Sequence, residues 1–170
     1  MRPLPRKAIL PYHHLVDRLR PSATEVGFDA IRTRFRRSPL IRIPDGYQDL
    51  FSRPIIVSLA TVQPDGQPQV TPVWADYVDG HIRVNTATGR QKHKNLIERP
   101  QATILAVDPD NGQRYVEVRG RVADVSEETG VAVIDKLAHD YMGVDVYPWH
   151  IPEETRVTFL IEPVRVVTSG

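Results

Sequence analysis

The chain has 170 residues, 41% of them hydrophobic, with 22 Lys/Arg against 21 Asp/Glu and no cysteine. That length suits one domain with a real core. The missing thiols exclude a disulfide framework, a thiolate zinc site and a cysteine nucleophile, and no apolar run is long enough to span a bilayer.

Charge is unevenly spread. The first fifty positions hold ten Lys/Arg against five acids, and the rest of the chain is mildly acidic. Residues 1–43 show little periodicity and several prolines, so they are expected to form a basic, mainly irregular extension with a short helix near Tyr12–Leu19. Its aromatics, Tyr12, Phe28 and Phe35, are too few and too widely spaced to form a base-stacking series, so nucleic acid is not the expected partner. The acids Asp17, Glu25 and Asp29 argue against a targeting peptide.

Residues 44–170 are expected to form the folded domain. Tyr47, Leu50 and Phe51 stand at i, i+3 and i+4, the spacing of a short amphipathic helix. From Pro54 to Gln63 the pattern alternates as a strand, and Pro64-Asp65-Gly66-Gln67 is a hairpin turn. Pro68 to Val78 is the return strand; its Pro68 and Pro72 require an edge or a bulge, because proline cannot donate to a ladder. His81 to Thr86 is a third strand, and Asn95-Leu96-Ile97-Glu98-Arg99 is helix-compatible up to Pro100. Gln101 to Val107 and Gln113 to Val125 form the next pair of strands around an Asp108–Gly112 turn. Ser126 can cap a helix through Val131, Ile134, Leu137, Ala138 and Tyr141, with Gly143 placed to end it. A proline-bracketed loop, Tyr147 to Pro152, leads to a last strand through Val157, Phe159 and Ile161. Short antiparallel strands with few helices favour a barrel or sandwich.

The segment Gly89-Arg90-Gln91-Lys92-His93-Lys94-Asn95 places three fixed cations where a strand turns into a helix. Cations at a helix start meet the positive end of the dipole, each costing ~0.3–1 kcal/mol. A bound anion reverses that sign, since the same end offers free N–H groups to phosphate. The alternative is a solvated basic helix face. Asn85, Thr86 and Thr88 can add donors to a phosphate or simply cap the helix. The histidines share no metal-ligand spacing, no Gly-x-Ser-x-Gly elbow or P-loop occurs, and no metal site is expected. Trp74, Tyr115, Tyr141, Tyr147 and Trp149 are the candidate ring-stacking side chains.

Three stretches taken in order, Val57–Thr61, Asp65–Trp74 and Gly89–Leu96, resemble pyridoxamine 5'-phosphate oxidase-like split-barrel proteins, and within them the coenzyme F-420-dependent (deazaflavin) oxidoreductases. Tyr115–Gly120 and Tyr141-Met142-Gly143 with Tyr147-Pro148-Trp149-His150 fit that branch. The resemblance covers about Pro44 to Val167. It implies a mainly β, six-stranded antiparallel split β-barrel, homodimeric, with two cofactors in clefts between subunits. It implies that Arg90 and Lys92 grip a cofactor phosphate, helped by Asn85, Thr86 and Asn95, and that Thr71, Pro72, Val73 and Trp74 lie along the ring. Lys94 would meet the acidic tail of the deazaflavin, and Tyr115, Trp149 and His150 would reach across from the partner subunit. The implied activity is hydride transfer between F-420 and a small conjugated substrate in the cytoplasm, with Tyr141, Tyr147 and His150 as candidate proton donors. FMN is the alternative cofactor, and a non-catalytic flavin- or deazaflavin-binding protein the alternative role. Gln69 and Trp74 stand in the strand where the vitamin B6 oxidase branch carries cations, and this chain ends soon after its last strand, which argues against pyridoxamine phosphate as substrate.

Overall fold

The computed structural model describes residues 41–170. The expectations for the basic extension and its Tyr12–Leu19 helix lie outside the described residues. A 3-10 turn at Asp45–Tyr47 and α1 (Asp49–Ser52) take the place of the expected amphipathic helix, and Leu50 and Phe51 are buried as its spacing required.

Seven strands follow: β1 (Val57–Val62), β2 (Pro68–Val73), β3 (Ala75–Val78), β4 (His81–Ala87), β5 (Gln101–Asp108), β6 (Asn111–Ser126) and β7 (Arg156–Ser169). Two longer helices interrupt them, α2 (Gln91–Glu98) and α3 (Gly130–Met142). All strand pairs are antiparallel, in the order β2-β1-β5-β6-β7-β4-β3.

The expected single strand from Pro68 to Val78 is thus two strands, broken at Trp74, and the count is seven rather than six. The break shapes the whole sheet. β2 and β3 lie at opposite ends of the sheet order, yet one residue joins them. Residues two apart are separated by at most ~7 Å, so the sheet must curl until its two edges meet at Trp74. This is the curled, half-open barrel of the split-barrel fold. As Pro68 and Pro72 required, β2 is an edge strand.

Inside the curl lies one core, including Leu59, Ile82, Val84, Ile104, Val116, Val118, Phe159 and Ile161. β1, β5 and the first half of β6 alternate inward and outward as half-buried strands should. Gly66 takes φ +87° in the β1–β2 turn, where its N–H donates to the Gln63 carbonyl at 2.9 Å. α3 begins at Gly130 with Thr129 as its N-cap residue, three residues later than a Ser126 cap implies. Ser126 Oγ instead accepts the Thr129 N–H at 3.1 Å, closing a turn ahead of the helix. Gly143 ends α3 in the left-handed conformation, as expected. No helix among the described residues is long and apolar enough to cross a membrane.

An ionic network ties α1 to the β5–β6 turn. Arg114 donates to Asp49 at 2.6 Å, to Asp108 at 2.7 Å and to the Gly46 carbonyl at 2.6 Å, while Arg53 reaches Asp110 at 2.6 Å. The Arg114 guanidinium holds the Asp49 carboxyl below its ordinary value. The Asp110 N–H, then Arg114, do the same for Asp108. Folding lowers both values, so the network stabilises fully above the unfolded carboxylate pKa of ~3.9 and is lost as pH falls through the folded values. Thermal melting should therefore show stability declining below about pH 4. Arg114→Met should melt lower at neutral pH and lose much of that acid dependence.

Candidate functional site

Strand alternation gives way to continuous burial over four residues in β4 and in β7, and the site is there. The last four residues of β4, Val84 to Ala87, are all buried, as are the first four of β7, Arg156 to Phe159. These stretches pair with each other, Asn85 with Thr158 and Ala87 with Arg156. α3 packs on both strands, so each is covered on two faces. The sequence nevertheless puts polar residues here: Asn85, Thr86, Arg156 and Thr158 are each at most 9% exposed. Buried polar groups must find partners. Asn85 Nδ2 donates to the Gly130 carbonyl at 2.7 Å, and Asn85 Oδ1 accepts two bonds from Arg156, at 2.6 and 2.9 Å. Thr86 Oγ1 and Arg156 Nη1 are buried with no hydrogen-bond partner among the described residues.

Three cations meet above this floor. Arg90 is the N-cap residue of α2, and no side chain caps that helix. Lys92 stands two residues on, half-buried, and burial, with Arg90 and Arg156 nearby, lowers its pKa below the usual lysine value. Burial likewise lowers Arg156, with Arg90 adding to the effect. One carboxylate answers them. Glu154 Oε1 accepts from Arg90 at 2.5 and 3.1 Å, and Glu154 Oε2 lies 3.6 Å from Arg156 Nη1. Three positive charges against one negative leave the cluster at two positive.

The cations border a cavity of about 280 Å³, with Pro72, Val73, Trp74, Tyr147 and Trp149 on one side and Ile134 and Leu137 of α3 on another. Trp74, the corner between β2 and β3, stacks on Tyr141 with ring centres 5.1 Å apart and meets Tyr147 edge-on at 5.9 Å. Tyr147 also carries the Arg156 guanidinium over its ring at 5.2 Å. An aromatic wall next to a dense positive cluster suits a ligand with an aromatic ring and a phosphate. The partnerless Nη1 of Arg156 and the two uncompensated charges show that these residues fit such an anion.

A family model described as pyridoxamine 5'-phosphate oxidase matches residues 43–168. The chain belongs to the pyridoxamine 5'-phosphate oxidase-like split-barrel family. Among solved structures it is similar to an F420 reductase, 35% identical, with a TM-score of 0.65 over 74% of this chain and 98% of that one. A conserved hypothetical protein from Mycobacterium tuberculosis is 24% identical, with a TM-score of 0.59 over 78% of this chain and 88% of that one. HupZ from Group A Streptococcus is 22% identical, with a TM-score of 0.55 over 74% and 93%. These last two share the fold alone. No curated protein matches. Family and relatives together make this chain a member of a flavin- or deazaflavin-binding oxidoreductase family.

Within that fold the structure gathers Pro72, Val73, Trp74, Asn85, Arg90, Lys92, Tyr147 and Trp149 at the cavity. Trp149 lines it in its own chain, where the resemblance implied a reach from a partner. Thr86 is in the floor, and Thr71 is not among the residues that line the cavity. Lys94 points to solvent, because residues two apart on a helix face nearly opposite ways. Asn95 is fully buried one turn further along α2, donating to Thr61 Oγ1 at 3.0 Å and Gln69 Oε1 at 3.3 Å, and is absent from the cavity lining. Tyr115 sits on β6 opposite Val107 and Ser169, outside the cavity.

The three candidate proton donors also separate. Tyr141 Oη accepts the Ala75 N–H and contacts the Ile55 and Ala75 carbonyls at 2.8 and 3.0 Å, and burial raises its pKa. It latches the Trp74 corner. His150 is held by Asp135 at 2.9 Å. Burial raises the Asp135 pKa, but the Tyr147 N–H and His150 outweigh it and hold that carboxyl below its ordinary value. Tyr147 alone of the three lines the cavity. Arg156 and Glu154 escaped the sequence reading. Their one signal was a charged pair, Glu154-Thr155-Arg156, opening a strand that otherwise alternates as core.

Proposed function

We propose that this protein is an F-420-dependent oxidoreductase that transfers hydride between the deazaflavin and a small conjugated substrate, working as a cytoplasmic homodimer. The observation that carries the reading is the convergence of Arg90, Lys92 and Arg156 on the edge of an aromatic-walled cavity. The likeness to an F420 reductase at 35% identity supports the deazaflavin over other ring cofactors. FMN is the second reading, because the same cluster suits its phosphate.

In this proposal Arg90, Lys92 and Arg156 bind the cofactor phosphate, Asn85 orients Arg156, and Pro72, Val73 and Trp74 lie along the ring. The cofactor supplies the hydride; the protein supplies position and electrostatics. The apolar wall excludes water and holds the ring against substrate, which replaces a bimolecular encounter by a fixed geometry. Hydride addition to an electron-poor double bond leaves a carbanion that needs a proton. In this reading Tyr147, which lines the cavity, would give it.

The test is a fluorescence titration of the purified protein with F-420 and with FMN, followed by turnover of the reduced deazaflavin with an enone acceptor. F-420 is expected to bind more tightly and to be oxidised when the acceptor is added. Binding of FMN alone would transfer the assignment to the flavin.

A further inference from the structure

Glu154 is out of place in a site built for anions. Its carboxylate occupies Arg90 with two hydrogen bonds and stands 3.6 Å from Arg156, while the buried Nη1 of Arg156 has no hydrogen-bond partner among the described residues. The side chain is not there by slack. Its own N–H is bonded to the Ile151 carbonyl at 2.9 Å, and the next residue, Thr155, accepts the Thr88 N–H at 2.9 Å, which ties this loop to the end of β4. A carboxylate is therefore held within the phosphate-binding cluster and opposes every anion that enters.

We propose that Glu154 is a specificity-determining residue, a fixed counter-charge that disfavours doubly charged phosphate monoesters relative to singly charged phosphodiesters. The inference rests on the phosphate reading of the cluster given above. Coulomb energy is proportional to the charge of the ligand, so one negative charge at a given distance costs a dianion twice the free energy it costs a monoanion. In binding constants that doubling is a square. If removing the charge tightens a monoanion about threefold, it should tighten a dianion about tenfold. Phosphate monoesters lose their second proton near pH ~6 and are dianions above that, whereas a diester such as the one in F-420 stays a monoanion. The same carboxylate thus separates the two cofactors that the ring wall treats alike.

The experiment compares the wild type with Glu154→Gln, which keeps the shape and one oxygen to accept from Arg90 but removes the charge. At pH 8 each protein is titrated with four probes: F-420, FMN, riboflavin cyclic-4',5'-phosphate and riboflavin. The cyclic ester keeps the flavin and removes one phosphate charge. The expected result is a gain for FMN near the square of the gain for the cyclic ester and for F-420, with riboflavin unchanged. Equal gains for FMN and the cyclic ester would overturn the inference and leave the cofactor reading intact. Weaker binding of all three anions would also overturn it, by showing that Glu154 serves to orient Arg90. If no ring compound binds either protein, the cofactor reading fails. Thermal shift with phosphate and dimethyl phosphate then still decides the role of Glu154. A larger added stabilisation of Glu154→Gln by phosphate supports it, and equal shifts for the two anions overturn it.

Discussion

Replacing Arg90 and Lys92 together by alanine is expected to weaken F-420 or FMN binding by about 10²–10³-fold, from two charge-assisted contacts worth ~1.5–2 kcal/mol each. The loss is compounded by what remains. Without Arg90, Glu154 has only Arg156 to balance it, and the cluster falls from two positive charges to neutral. Folding should survive, since Arg90 and Lys92 both reach solvent and Lys92 forms no ion pair within 4 Å among the described residues. The pair of measurements is a circular dichroism melt and a fluorescence titration. An intact melt with an unchanged dissociation constant would remove the phosphate assignment, and with it the local support for hydride transfer.

The second large effect is structural and reaches the same site from below. A Cβ added to Gly130 would lie 2.1 Å from the Arg156 carbonyl oxygen and 2.4 Å from its carbonyl carbon. Both are backbone atoms of a paired strand, so no rotamer change relieves the overlap. Gly130→Ala is expected to cost about 3 kcal/mol or more, at the upper end for overpacking because α3 must move off β7. The Gly130 carbonyl is also the acceptor for Asn85 Nδ2, and Asn85 in turn holds Arg156. The fraction that still folds should therefore bind cofactor less well. Urea denaturation against Gly112→Ala is the measurement, because nothing lies within 4 Å of a Cβ built at Gly112. Equal midpoints for the two variants would show that α3 is not packed on β7 as closely as described.

Both expectations turn on how differently the two halves of the site could be read. Arg90 and Lys92 were readable because their chemistry is local. A strand ending at Thr86 and a helix stopping at Pro100 place them at a helix start, and cations there conflict with the dipole. The apolar wall was half-readable. Pro68 and Pro72 marked an edge strand, but nothing in periodicity distinguishes one long strand from two strands turning at Trp74. The partner of Asn85 was unreadable, since Arg156 is 71 residues away. Asn95 misled for the same reason. Lys94 before it faces solvent and Leu96 after it enters the core, while Asn95 itself is turned to Thr61 and Gln69.

The amino-acid order by itself determined the strand-rich class, the β1–β2 turn, the edge character of β2, the end of α3 and the cationic helix start, because each depends on contacts within a few residues. Only the tertiary structure decided that the sheet curls at Trp74, that Arg156 joins the cations, and that Glu154 opposes them. Those outcomes depend on which strand pairs with which, and strand pairing brings together residues whose separation along the chain carries no local signal.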